Sequence, residues 1–129
     1  MHDETSKELR TTLTSAGKLE LSIVTVPMPE PREGEVLVRV EASPINPSDL
    51  GLLLGPADVA SLSITGSGDD TIASMDVPEA MMPAMQARFD AALPVGNEGA
   101  GVVIAAGAGA EHLVGQTIGV AGGAMYSQY

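Results

Sequence analysis

An amide, Asn46, and a carboxylate, Asp49, are the groups in this chain best suited to positioning a polar substrate. Asn46 and Asp49 lie three residues apart in the proline-bounded segment Ser43-Pro44-Ile45-Asn46-Pro47-Ser48-Asp49, and Asn97 follows the turn residue Gly96 in Pro94-Val95-Gly96-Asn97-Glu98-Gly99-Ala100-Gly101. An amide donates and accepts hydrogen bonds and a carboxylate accepts from a hydroxyl, so Asn46 and Asp49 are candidates for positioning a substrate. The same residue types have structural uses. Asn46, Ser48 or Asp49 can cap a short helix over Leu50 to Leu54, stopped by Gly55-Pro56, and Asn97 can occupy a turn of positive φ. The spacing alone leaves both uses open.

Several other chemistries are excluded by what the chain lacks. It has no cysteine, hence no thiolate nucleophile, disulfide or cysteine zinc site. Catalytic zinc needs three protein ligands of the thiolate, imidazole or carboxylate kind, and the two histidines, His2 and His112, are isolated. No metal is therefore expected. Gly99-Ala100-Gly101 and Gly107-Ala108-Gly109 lack the third glycine and the strand-helix context of a dinucleotide fingerprint, and no lysine after Lys18 serves a P-loop. These glycines read as turns. Net charge is −11, with all six basic residues before position 89, which argues against nucleic acid and anionic membranes as partners. No apolar run is long enough to span a bilayer and the first residues have no signal-peptide character, so a cytoplasmic location is expected.

The elements that must position these residues read as mainly β. Residues 1–10 are polar and are expected as a flexible arm. Residues 11–129 are expected as one domain. Thr11 to Thr14, a turn at Ser15-Ala16-Gly17-Lys18, and the alternating Leu19 to Val26 form a hairpin. After a proline-rich connection, Glu35 to Ala42 forms a strand with Val36, Val38 and Val40 on one face and Leu37, Arg39 and Glu41 on the other. Residues 58–92 read as an acidic insertion. It contains an exposed loop from Ser63 to Thr71 and a helix from Ala84 to Ala92, with Pro83 at its first position. Its methionines are expected to pack that helix onto the rest of the fold, with a methionine-lined substrate wall as the alternative. Gly101 to Ala105 and Thr117 to Val120 read as short strands joined by glycine turns.

Three phrases in order, Val40-Glu41-Ala42-Ser43-Pro44-Ile45-Asn46-Pro47-Ser48-Asp49, Pro94 to Val103, and Val114-Gly115-Gln116-Thr117-Ile118, resemble the amino-terminal domain of the medium-chain dehydrogenase/reductase superfamily. The likeness is to its zinc-independent, quinone oxidoreductase-like branch, and Gly123 to Tyr129 resembles the strand that follows in that family. The resemblance implies a mainly β, GroES-like, partly open barrel with short helices, forming the substrate side of a cleft. A Rossmann domain, absent from this chain, would bind NADP or NAD on the other side. The zinc alcohol dehydrogenases of the family carry a cysteine where this chain has Asn46 and a histidine where it has Asn97. The implied reaction is hydride transfer to or from a carbon conjugated to a carbonyl, in a quinone or enone substrate, with hydrogen-bond donors holding the developing charge. In that setting Asn46 and Asp49 position substrate and nicotinamide ribose, making Asn46 also a cofactor-binding residue. Asn97 faces the same cleft by analogy. The implied partners are the small carbonyl substrate and the missing Rossmann domain, and a homodimer is compatible with them. The isolated chain is expected to bind no cofactor and to be inactive. A free-standing GroES-like binding module without catalysis is the alternative.

Overall fold

The computed structural model of the chain describes residues 4–129. Its strands are β1 (Thr5–Leu13), β2 (Lys18–Pro27), β3 (Val36–Ala42), β4 (Asp58–Thr65), β5 (Ile72–Asp76), β6 (Leu93–Pro94), β7 (Glu98–Ala106) and β8 (Thr117–Ala121). One short α-helix, α1 (Leu50–Leu53), follows β3, and 3₁₀ segments span Gly68–Asp70, Glu79–Arg88 and Glu111–Leu113. The strands form a five-stranded sheet in the order β4-β5-β2-β1-β6 and a three-stranded sheet in the order β3-β7-β8. Neither sheet closes on itself, so the protein is mainly β with short helices and open sheets, consistent with a partly open GroES-like barrel. The chain divides into two units. One comprises Leu9–Val24 and Ile45–Val95, and the other takes in the described residues up to Glu8, Thr25–Pro44 and Gly96–Tyr129.

In the first unit the β1-β2 hairpin forms where the alternation places it. Gly17 adopts φ +88°, Thr14 N–H donates to Lys18 O at 2.8 Å and Gly17 N–H to Thr14 O at 3.0 Å, closing the turn. Leu13 and Leu19 point into a core completed by Met75 and Val77, with Leu54, Met82, Met85 and Phe89 packed against it. Burying a leucine side chain contributes about 1.5–3 kcal/mol, so this cluster is the main apolar anchor of the unit. The methionines of 58–92 thus pack onto the rest of the fold as expected, but from β5 and a 3₁₀ segment rather than from an α-helix. β5 pairs in register with β2, Leu19 opposite Met75 and Leu21 opposite Ala73.

Three expectations need correction here. β1 begins at Thr5, so the described part of the expected arm from Thr5 onward is strand; its polar residues lie in a sheet whose ladder satisfies the backbone. The helix expected from Ala84 to Ala92 is instead the end of the 3₁₀ segment Glu79–Arg88, because no apolar stripe rewards an α-helix there and the backbone turns extended at Phe89. The expected loop from Ser63 is strand up to Thr65. In β4 only Asp58 and Ser63–Thr65 have partners on β5, and the ladder shifts between Asp58 and Ser63.

In the second unit β3 pairs antiparallel with β7, and β7 with β8. Leu37, placed on the polar face by simple alternation, is buried at 8% exposure. The register slips between Leu37 and Val38, and such a bulge turns the strand so that the period of two fails across it. Gly101 and Gly107 are needed for close approach, not for turns: a Cβ on Gly101 would collide with Arg39 O, and one on Gly107 with Arg32 O. The closing segment after Gly123 forms no strand; it makes a single antiparallel bridge, Ser127 with Glu8.

Candidate functional site

The Pro-bounded loop ends in a turn tied at both ends. Asp49 N–H donates to Asn46 O at 2.9 Å, and Asn46 N–H donates to Asp49 Oδ2 at 2.8 Å. Asp49 is also the N-terminal flanking residue of α1, where its carbonyl accepts from Leu52 and Leu53 N–H at 3.1 and 3.0 Å. Its carboxylate makes no capping bond to that helix and turns back to Asn46 instead. Neither Asn46 nor Ser48 therefore serves as the N-cap. At 2% exposure Asp49 is the most secluded carboxylate of the loop, whereas the Asn46 side chain is half-buried and Ile45 stands largely in solvent.

Thr11 anchors the helix that follows this turn. It is fully buried on β1, and its hydroxyl donates to Leu52 O at 2.9 Å, supplying a donor to a carbonyl that a four-residue helix leaves unpaired at its end. Sequence reading missed Thr11. Its only signal was a hydroxyl at a core-facing strand position two residues before Leu13, which demands a partner when buried.

Asn97 belongs to the other unit. It is exposed, and its carbonyl accepts from Gly122 N–H at 2.8 Å. The positive φ assigned to it falls on Gly96 instead, at +102°, where a Cβ would meet Tyr126 N at 2.7 Å. Gly96 O accepts from Met125 N–H at 3.2 Å, Ser43 Oγ donates to Met125 O at 2.6 Å and Tyr126 Oη to Pro44 O at 3.0 Å. These bonds lock the Gly96 turn, the start of the Pro-bounded loop and the Met125–Tyr126 segment together. Beside them runs a shallow groove with Ala42, Pro44, Glu98, Gly99, Gly119 and Ala121 in its walls. Of the three sequence candidates, Asn46 and Asp49 are thus brought into one turn, and Asn97 stands on its own turn in the second unit.

Among the described residues no group of three His, Cys, Asp or Glu side chains is placed to hold a metal ion. Nor is any helix of the described residues long and apolar enough to cross a membrane. Burial lowers the guanidinium of Arg88 from its ordinary range, and its Nε and Nη2 are buried without hydrogen-bond partners.

No family model matches the chain. A zinc-type alcohol dehydrogenase-like protein of Schizosaccharomyces pombe is 56% identical to it over 34 residues. That stretch amounts to 26% of this chain and 10% of the yeast protein's length. The short match supports a relation to the medium-chain dehydrogenase/reductase superfamily and fits a fragment of an oxidoreductase.

Proposed function

We propose that this chain is the substrate-side half of an NAD(P)H-dependent oxidoreductase that reduces quinone- or enone-type carbonyl compounds without zinc. The observation that supports an oxidoreductase is the 56% identity over 34 residues to a zinc-type alcohol dehydrogenase-like protein; the absence of zinc from the reading rests on the donor set alone. In this reading the nicotinamide supplies the hydride, and a nucleotide-binding domain outside these residues holds it. Asn46 presents its half-buried amide to substrate or ribose. Asp49 acts as a positioning residue, because its carboxylate is engaged with the Asn46 backbone and secluded from solvent. Asn97, exposed on its turn, offers a second amide to the substrate.

Zinc does not fit the donor set. Asn46 and Asn97 are neutral amides, poor ligands beside thiolate or imidazole, and no three-ligand group exists among the described residues. Charge developing on the substrate oxygen is then met by hydrogen-bond donors, which act without a Lewis acid when they are held in place beforehand.

The test is quinone- and enone-dependent oxidation of NADPH by a protein carrying this chain joined to a nucleotide-binding domain, with and without a chelator. Turnover indifferent to chelation is expected. Loss of turnover with EDTA and its return with added zinc would overturn the reading. The 129-residue chain alone is expected to show no micromolar affinity for NADPH in calorimetry, since helix N-terminal pyrophosphate binding has no counterpart in it.

A further inference from the structure

A cleft that includes none of the Asn46 to Asp49 turn opens in the first unit, at the turn end of the β1-β2 hairpin. The turn from Ser15 to Lys18 forms one wall, the 3₁₀ segment Glu79–Arg88 with Phe89 forms the other, and the space between measures about 660 Å³. Sites for small molecules commonly span about 300–1,000 Å³. The walls are tied to each other by the chain itself. Val77 N–H donates to Gly17 O at 2.9 Å, Ser15 N–H to Asp90 Oδ1 at 3.1 Å and Asp90 N–H to Leu13 O at 2.8 Å. Each bond joins the hairpin to the chain beyond β5, so the cleft is pre-formed. On its apolar side stand Val77, Met82 and Phe89; Met82 and Phe89 pack on the Leu13–Met75 core yet stay only half-buried. Apolar surface therefore remains for a ligand, and a methionine adjusts its shape to what it meets. The charged lining consists of Lys18, Asp76 and Glu79. Lys18 Nζ is paired with Asp76 Oδ1, so those two cancel, while Glu79 makes no ion pair or hydrogen bond with any described residue. One uncompensated negative charge thus borders the apolar surface, in a chain of net charge −11.

We infer that this cleft binds a small organic cation, an ammonium group on a compact apolar body, with the ammonium at Glu79 and the body against Met82 and Phe89. Burial of the body supplies attraction without direction, and the carboxylate selects the sign of the charge. An anion is disfavoured, because Lys18, the cation of the cleft, is already engaged by Asp76. A neutral molecule of the same shape gains the apolar contacts and forgoes the ionic one. None of these residues takes part in the proposed carbonyl reduction, so the site stands independently of it.

The probe is 2-phenylethylamine, an ammonium at neutral pH, titrated into the isotope-labelled 129-residue chain. Saturable amide shifts centred on Gly17, Lys18, Glu79, Met82 and Gln86 are expected, with a Kd below about 5 mM for a ligand of this size. The similarly shaped 2-phenylethanol and 3-phenylpropionate are expected to bind at least about threefold more weakly. Glu79→Gln, a change at an exposed side chain, is expected to bring the amine down to the affinity of the alcohol. The alcohol's own binding and the rest of the spectrum should not move. Lys18→Gln, which frees the Asp76 carboxylate, is expected to tighten the amine by about threefold. A weaker Kd, a smaller preference for the amine over the alcohol, amine binding indifferent to Glu79→Gln, or shifts centred outside the cleft would each overturn the proposal.

Discussion

The Asn46 to Asp49 turn shows how one buried carboxylate can decide the shape of a candidate site. Removing its acceptor leaves the Asn46 N–H without a partner inside the protein, a loss of about 1–3 kcal/mol. Asp49→Ala is expected to lower stability by that amount in urea unfolding of the chain, while Asp49→Asn, which keeps an acceptor oxygen, loses less than half as much. Asn46→Ala is expected to leave stability within about 0.5 kcal/mol and to lower kcat/KM of the complete enzyme by about 10- to 1000-fold, or about 1.4 to 4 kcal/mol of transition-state stabilisation. Near-unchanged turnover in Asn46→Ala removes it from the site. Arg88 presents the opposite situation: two buried donors without acceptors weaken the fold, so Arg88→Met is expected to raise stability by about 1–2 kcal/mol. Both candidate residues of the turn were legible from the proline-bounded phrase. The direction of the Asp49 side chain was not, because a carboxylate at that spacing closes the turn behind it as readily as it caps the helix ahead.

At the level of elements, hairpins and strands with a clean period of two emerged where their patterns put them, as with Leu19 to Val26 and Thr117 to Val120. The pattern failed at Leu37, where a bulge breaks the alternation, and in 84–92, where Ala and Met favour a helix that no apolar stripe rewards. Neither bulges nor tertiary packing leave a local signature. The glycines were read as turns, yet the two that matter most in the β3-β7-β8 sheet act by lacking a side chain. Gly107→Ala is expected to cost about 1–3 kcal/mol, since the backbone of Arg32 has to shift to admit a methyl group. Gly119→Ala, with ordinary φ and nothing within 4 Å, is expected to be neutral or to stabilise by up to about 1 kcal/mol. Thermal unfolding of the pair checks the contrast.

For the whole molecule, a charge of −11 means that folding gathers like charges. Ionic strength screens such repulsion over a distance of about 10 Å at 0.1 M salt, so the melting temperature is expected to rise between about 0.01 and 0.2 M sodium chloride. A fall over the same range would mean that attractive pairs such as Lys18 with Asp76 outweigh the general repulsion. A mainly β chain was legible from the alternation and the glycine turns, and both its open sheets and the relation to an alcohol dehydrogenase-like protein from the resemblance carried by the ordered phrases. The packing contribution of 58–92 was legible from its methionines, but the pairing of β5 with β2 was not, because an acidic, serine-rich surface hides which of its residues face inward.

That contribution has a consequence for how the chain is made. Leu13 and Leu19 leave the ribosome well before Met75 and Val77, which cover them. Until then the first hairpin exists with its oily side bare, and a two-stranded ribbon has little stability of its own in water. The nascent chain therefore passes through an interval in which this hairpin is exposed and sticky, and a pause in translation before Met75 would prolong that exposure.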